Sequence, residues 1–288
     1  MNTKSKALSV ILAVLMFLQL LCIYCGEGEI DKDAKITPKE TETKRVFVSH
    51  VIYAPEVTER KFISHLQNQY LPIWRKLKDE NILYELSVFK LTKIDSTTAD
   101  RHLCNYLILA QLCSGVKARD FLKVENLTTN PVANDSSLFQ ILRTEELNCV
   151  PNAYFPALSS ESTAEIDFLV EFIAVKDSAQ FLKEYHDLMN VYFGPINGVL
   201  VKEGKLYNIY MMETMEVVFQ MDDRLTWNQI HLSGDFPEYK DLDWDSLYTD
   251  SFIWIFSCEL DSVWALMPPT LNTSFDCEGR LIKRLHVK

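Results

Sequence analysis

The stretch Thr226 to Pro237, TWNQIHLSGDFP, places an indole, an amide and an imidazole at alternating positions. Side chains two apart on a strand share a face, so Trp227, Gln229 and His231 would line one side. That set suits a small-molecule pocket. Histidine is the side chain suited to base work near neutrality, so His231 is the candidate base, Gln229 can orient a phenol or carbonyl oxygen, and Trp227 supplies an apolar wall. Other polar residues interrupt apolar strand-like runs in the same way: His50 in RVFVSHVIYAP, Glu171 in EIDFLVEFIAVK, and Asn208 and Glu213 in KLYNIYMMETMEVVF. The ligand-binding candidates are therefore His50, Glu171, Glu213, Trp227, Gln229 and His231. An alternating polar row is also what the wet face of an antiparallel sheet presents, and which face points inward separates the two readings. Asn228, Ile230 and Leu232 are the more aliphatic set and suit packing beneath helices. That leaves Trp227, Gln229 and His231 for the interior.

Other chemistries lack their spacing. The six histidines form no H-E-x-x-H, H-x-H or Cys/His cluster, so no metal site is expected. There is no G-x-S-x-G and no glycine-rich phosphate loop, so no catalytic motif emerges. DLDWDS lacks the glycine and terminal glutamate of a calcium loop. Cys104, Cys113, Cys149, Cys258 and Cys277 are an odd number in no metal-like spacing, and read as buried thiols with at most one bridge.

The elements that would carry these residues follow an order. After a strand at RVFVSHVIYAP, a helix over VTERKFISHLQNQYLPIWRKLKDE sets Ile63, Leu66, Tyr70 and Leu77 at helical spacing. Strands at ILYELSVFKLTKI and NYLILAQLC, a short helix at GVKARDFLKVENL and a strand at LFQILRTEEL complete a first set. PNAYFPALSSESTA reads as a linker. The strand EIDFLVEFIAVK, the helix AQFLKEYHDLMNVYF broken at Gly194-Pro195, the strands KLYNIYMMETMEVVF and TWNQIHL, the acidic helix PEYKDLDWDSLYTD and the strand FIWIFSCEL then repeat the order. The division predicted is 45–150 and 164–260 for two modules, 151–163 for the linker, and 261–288 for a C-terminal extension.

The N-terminus sets the compartment. Lys4 and Lys6 precede an apolar run from Ala7 to Cys25, followed at once by GEGEIDKDAKITPKETETKR. This is the layout of a secretory signal over 1–25 with a flexible tether over 26–44, and predicts an exported, extracellular or periplasmic protein. The run is about 18 residues, the lower edge of a membrane span, so membrane attachment through the N-terminus stays open. Cys25 is the lipidation candidate of a lipoprotein reading, against which Tyr24 stands where a small residue is preferred. Removing 1–25, with two lysines and no acid, takes the net charge from -11 to -13. Such a chain repels phosphate backbones, and no nucleic-acid partner is expected.

The element order resembles the dimeric α+β barrel superfamily, whose ferredoxin-like modules include EthD-like, NIPSNAP-like, antibiotic-biosynthesis-monooxygenase-like and chlorite-dismutase-like proteins. The segment FISHLQNQYLPIWRKLKDENILYELSVFK, with Trp74 ahead of a strand carrying Tyr84, is similar to the helix-to-strand segment of exported, uncharacterised members. The resemblance implies an α+β fold of two tandem ferredoxin-like modules (β-α-β-β-α-β) closing an intramolecular barrel over residues 45 to 258. It also brings in haem, which some members bind through a histidine; here His186 in LKEYHDLMNVYF would be the ligand, although its neighbours Tyr185, Met189 and Tyr192 read as core. With no catalytic motif matched, the function expected is that of a non-catalytic small-molecule-binding or structural module without a cofactor. The alternatives are a cofactor-free monooxygenase or isomerase acting on a small apolar or aromatic substrate, and an interaction protein whose acidic stretch, Glu238 to Asp250, meets a basic partner.

Overall fold

The computed structural model describes residues 45–93, 104–128, 138–157, 166–175, 186, 193–221, 223, 225–236 and 271–288. The signal, the tether and Cys25, the helix AQFLKEYHDLMNVYF apart from His186 and Phe193, the acidic stretch, the FIWIFSCEL strand and Cys258 lie outside the described residues.

The strands are β1 (Val46–Tyr53), β2 (Leu83–Lys93), β3 (Tyr106–Leu112), β4 (Gln140–Phe155), β5 (Asp167–Val175), β6 (Leu206–Gln220), β7 (Gln229–Asp235) and β8 (Leu271–Leu281). All neighbouring pairs are antiparallel, and the order β1-β3-β2-β8-β5-β7-β6-β4 closes on itself as a barrel. Within the first four strands the order is β4-β1-β3-β2, and within the last four it is β8-β5-β7-β6. Closure removes the exposed edges that such long apolar strands would otherwise present.

Four helices are described: α1 (Glu59–His65), α2 (Leu71–Asp79), α3 (Ala118–Glu125) and α4 (Gly194–Lys202). A π turn at Leu66–Tyr70 joins α1 to α2. Pro72 has no N–H to give to the carbonyl four residues back and its ring crowds that turn, so the chain widens just before it. The widened turn keeps Phe62, Ile63, Leu66, Tyr70, Leu71, Trp74 and Leu77 buried through the join. Pro195 stands in the first turn of α4, where its missing donor costs nothing.

Two apolar compartments follow from strand alternation. Val48, Ile52, Leu86, Val88, Ile108 and Ala110 pack with the apolar faces of α1, α2 and α3. Phe47, Phe89, Leu107, Leu147, Phe168, Tyr210, Ile230 and Cys277 form a second cluster that draws on every strand and on no helix. Only the inside of a closed barrel brings eight strands together in that way. The interior is thus filled with side chains along much of its length.

Three expectations change. β4 runs on through Pro151 to Phe155, so the first residues of the expected linker are strand, accommodated by register shifts against β6. Leu271–Leu281, within the stretch expected to be an extension, is a wall strand that pairs with β2 and β5. The phase of β7 is opposite to that expected: Ile230 and Leu232 point into the barrel, opposite Phe172 and Val170, and Gln229 and His231 point outward. Inside the barrel Ile230 and Leu232 join the apolar cluster of Val170, Phe172, Tyr210 and Met212.

Candidate functional site

Five of the chemically capable residues meet on the outer face of β5, β7 and β6. Because Val170 and Phe172, Met212, and Ile230 and Leu232 point inward, their neighbours Glu171, Glu213, Gln229 and His231 must point outward. Register then sets them in two rows: Ile173, Gln229 and Glu213 in one, and Glu171, His231 and Met211 in the next. His186 reaches the same face, its Nε2 3.0 Å from Glu213 Oε2. His231 Nδ1 stands 3.7 Å from Glu171 Oε2, an electrostatic pairing longer than a direct hydrogen bond. The face therefore carries two imidazole–carboxylate pairs.

Between them sits an unusual amide. Gln229 is 0% exposed, and neither its Oε1 nor its Nε2 has a hydrogen-bond partner. An unpaired buried amide costs on the order of 1–3 kcal/mol, and native structures hold few of them. Further along the outward row of β7, Asp235 has its carboxyl pushed up to about 6, first by burial and then by the neighbouring Asp167. An imidazole held by a carboxylate is oriented to take a proton, and a free amide can donate to an oxygen that gains charge as the proton leaves.

Trp227 and His50 lie elsewhere. Trp227 precedes β7, in a run where Asn228 bonds across to Ile173 and Thr214 and the strand period is interrupted. Its indole therefore does turn into the barrel, packed 5.0 Å from Phe172 and donating from Nε1 to Glu145 Oε1 at 2.8 Å. Glu145 is fully buried and also accepts from Ser49 Oγ, from Thr214 Oγ1 at 2.9 Å, and from Arg143 Nε at 3.0 Å, with Arg143 Nη2 2.8 Å away. The guanidinium lies 4.6 Å from the Trp227 ring centroid and donates to the Leu225 carbonyl. Burial presses the Arg143 pKa down while Glu145 holds it up. Every acceptor of this carboxylate is occupied, so the cluster is a plug rather than a reaction centre.

His50 points away from the barrel interior, toward the helices. Its Nδ1 is 2.9 Å from Thr144 Oγ1, and its Nε2 lies 3.3 Å from Glu125 Oε1 without forming a hydrogen bond, while Trp74 Nε1 donates to that oxygen at 3.4 Å. His50 and Glu125 are fully buried, and this cluster ties α2 and α3 to β1 and β4. Asn208 faces inward at the other end of the barrel from Trp227.

The sequence reading missed Glu145 and Arg143. Their signal was present in LFQILRTEEL, where two opposite charges stand two residues apart on a strand and so share a face. Among the described residues no disulfide joins Cys104, Cys113, Cys149 and Cys277.

No family model matches the chain, and no curated protein matches it. Among solved structures, an anthrone oxidase-like protein is 11% identical with a TM-score of 0.50, covering 84% of this chain and 92% of that one. A monooxygenase-like protein from Fusobacterium nucleatum is also 11% identical, with a TM-score of 0.47 and coverage of 84% and 94%. A chlorite dismutase from Candidatus Nitrospira defluvii is 9% identical, with a TM-score of 0.45 and coverage of 85% and 95%. What the likeness to the anthrone oxidase-like protein shows is a shared fold, the closed antiparallel α+β barrel.

Proposed function

We propose that the chain is a small-molecule enzyme of the cofactor-free monooxygenase type, with its site on the outer face of β5, β7 and β6. The observation that carries this reading is the Gln229 amide, fully buried and unpaired, between the His186–Glu213 and His231–Glu171 pairs. An activated C–H or O–H of a small aromatic substrate loses its proton to one imidazole, which its carboxylate then stabilises as the imidazolium. Gln229 donates to the substrate oxygen on which the charge settles. The substrate carbanion passes an electron to dioxygen and the two radicals join as a carbon-bound peroxide, which takes the proton back from the imidazolium. O–O cleavage with loss of the remaining C–H proton then leaves a carbonyl, one oxygen atom staying in the product and the other leaving as water. The strand order, the same in the two quartets, supports two tandem ferredoxin-like modules, and the N-terminal residue pattern supports export.

Haem is the cofactor that the fold brings to mind, and His186 as placed does not fit it. Its Nε2 faces the Glu213 carboxylate at 3.0 Å, the position an iron would need.

A second reading, a binding module without chemistry, is favoured by the filled barrel interior. Oxygen uptake with anthrone, the compound class in the name of the structural neighbour, separates the two. Uptake should fall about 100-fold or more in His186→Ala or His231→Ala, and by a smaller factor in Gln229→Ala. Uptake unchanged in both histidine variants, or none with anthrone and related phenols, would sink the enzymatic reading. A Soret band in the purified protein, lost in His186→Ala, would overturn the exclusion of haem.

A further inference from the structure

The far end of the barrel from the Glu145 plug is not sealed. Phe47, Glu85, Tyr207, Asn208, Tyr210 and His286 border a cleft of about 50 Å³ that opens to solvent. Its base holds a buried acceptor with nothing to accept: Asn208 is 5% exposed, and its Oδ1 has no hydrogen-bond partner. A Cβ at Gly234 would come within 2.6 Å of that oxygen, so the glycine is what allows the amide to lie there. This cleft is separate from the outer-face site, on the other side of the barrel wall.

The charges around the cleft have one sign facing inward. Glu85 stands on the rim with His286 Nε2 3.5 Å away. Burial holds the His286 pKa low against the pull of Glu85, with Lys288 lowering it further, so near neutrality the imidazole does not cancel the carboxylate. The Glu85 charge reaches the phenols of Tyr154, Tyr207 and Tyr210 and adds to the burial that raises each of them. Arg45 lies 4.0 Å over the Tyr154 ring, which itself stacks on Tyr210 at 4.8 Å. A ligand here meets the Glu85 carboxylate, the Asn208 oxygen and aromatic rings.

We propose that this end of the barrel binds a small protonated amine, its N–H donors taken by Asn208 Oδ1 and the Glu85 carboxylate and its carbons by the Phe47 and Tyr210 rings. A cation against aromatic faces is attracted by their quadrupoles in addition to its hydrogen bonds. Size sets the class. A dry cavity of about 150 Å³ is what a benzene ring requires, three times the space here, so the ligand is a short alkylammonium rather than an arylamine.

The test is calorimetric titration of the full chain with ethylammonium chloride, against matched sodium chloride and sodium propionate. Saturable binding is expected, about tenfold weaker or worse in Glu85→Gln and in Asn208→Leu, with no saturable heat from propionate. Glu85 is on the rim, so Glu85→Gln keeps the fold, checked by its thermal midpoint, and decides the matter should Asn208→Leu not fold. Absence of binding up to about 100 mM, equal binding by Glu85→Gln, or equal response to propionate would each overturn the assignment. None of these outcomes depends on turnover at the outer face.

Discussion

Glu145 and Gln229 are both fully buried polar residues on barrel strands, and they are opposites in every other respect. Glu145 accepts from Arg143 on its own strand, from Ser49 and Thr214 on the two adjacent strands β1 and β6, and from Trp227 just before β7. Gln229 is flanked by two imidazole–carboxylate pairs and bonds to neither. The carboxylate is the costlier group to bury, and it is the one whose partners are complete. The difference teaches that burial alone does not mark a functional polar group; the lack of partners does. A saturated cluster has been shaped for the folded state, whereas an unsaturated one carries a free-energy cost that a bound molecule can remove.

Breaking the plug should give the largest effect. Glu145→Ala leaves a buried guanidinium with only the Leu225 carbonyl and the Trp227 ring for company, and should destabilise the protein by about 3–5 kcal/mol in urea unfolding. The double variant Arg143→Met, Glu145→Leu removes both charges and should recover most of that loss. A single variant that is no less stable than the double would mean that solvent reaches this end of the barrel, and the contrast with Gln229 would weaken.

Much of the wall was legible in the sequence. Seven of the strands lie where apolar alternation puts them, because strand period is a local property that the sequence displays directly. β8 was not, since LNTSFDCEGRL mixes small, polar and acidic residues and earns its place only by pairing with β2 and β5. Facing was harder still. Ile230 and Leu232 would suit either apolar compartment, and only closure of the barrel makes the interior the larger claim on them. The site was half legible for the same reason: Glu171, Glu213, Gln229 and His231 do share one face, but Trp227 and His50 do not, because one sits before the strand period begins and the other points toward a helix that no local pattern ties to it. The Glu145 cluster joins residues 49, 143, 145, 214 and 227, a juxtaposition that exists only in three dimensions.

The outward row of β7 can be tested by pH. Asp235 has a folded pKa raised to about 6 from 3.8, so the folded state prefers the neutral acid. Its contribution to stability is present in full below about pH 4. It is lost as pH rises through 6, where the buried carboxylate repels Asp167. Asp235→Asn should therefore raise stability at pH 8 by about 2 kcal/mol and leave it nearly unchanged at pH 3.5. An equal gain at both pH values would show that Asp235 is not held out of water, and that the row is an ordinary solvated face.

The smallest effect should be the most informative. Gln229→Met keeps the volume of the side chain and removes two polar atoms that have no partners, so the protein should become more stable by about 1 kcal/mol, read from the urea midpoint. The same substitution at a paired glutamine would cost stability. If the gain in stability comes with loss of anthrone-dependent oxygen uptake, the amide is kept unpaired for a substrate, a trade of stability for activity. If the variant is instead less stable than the parent, Gln229 has a partner in solution, and the outer face resembles the Glu145 plug rather than opposing it.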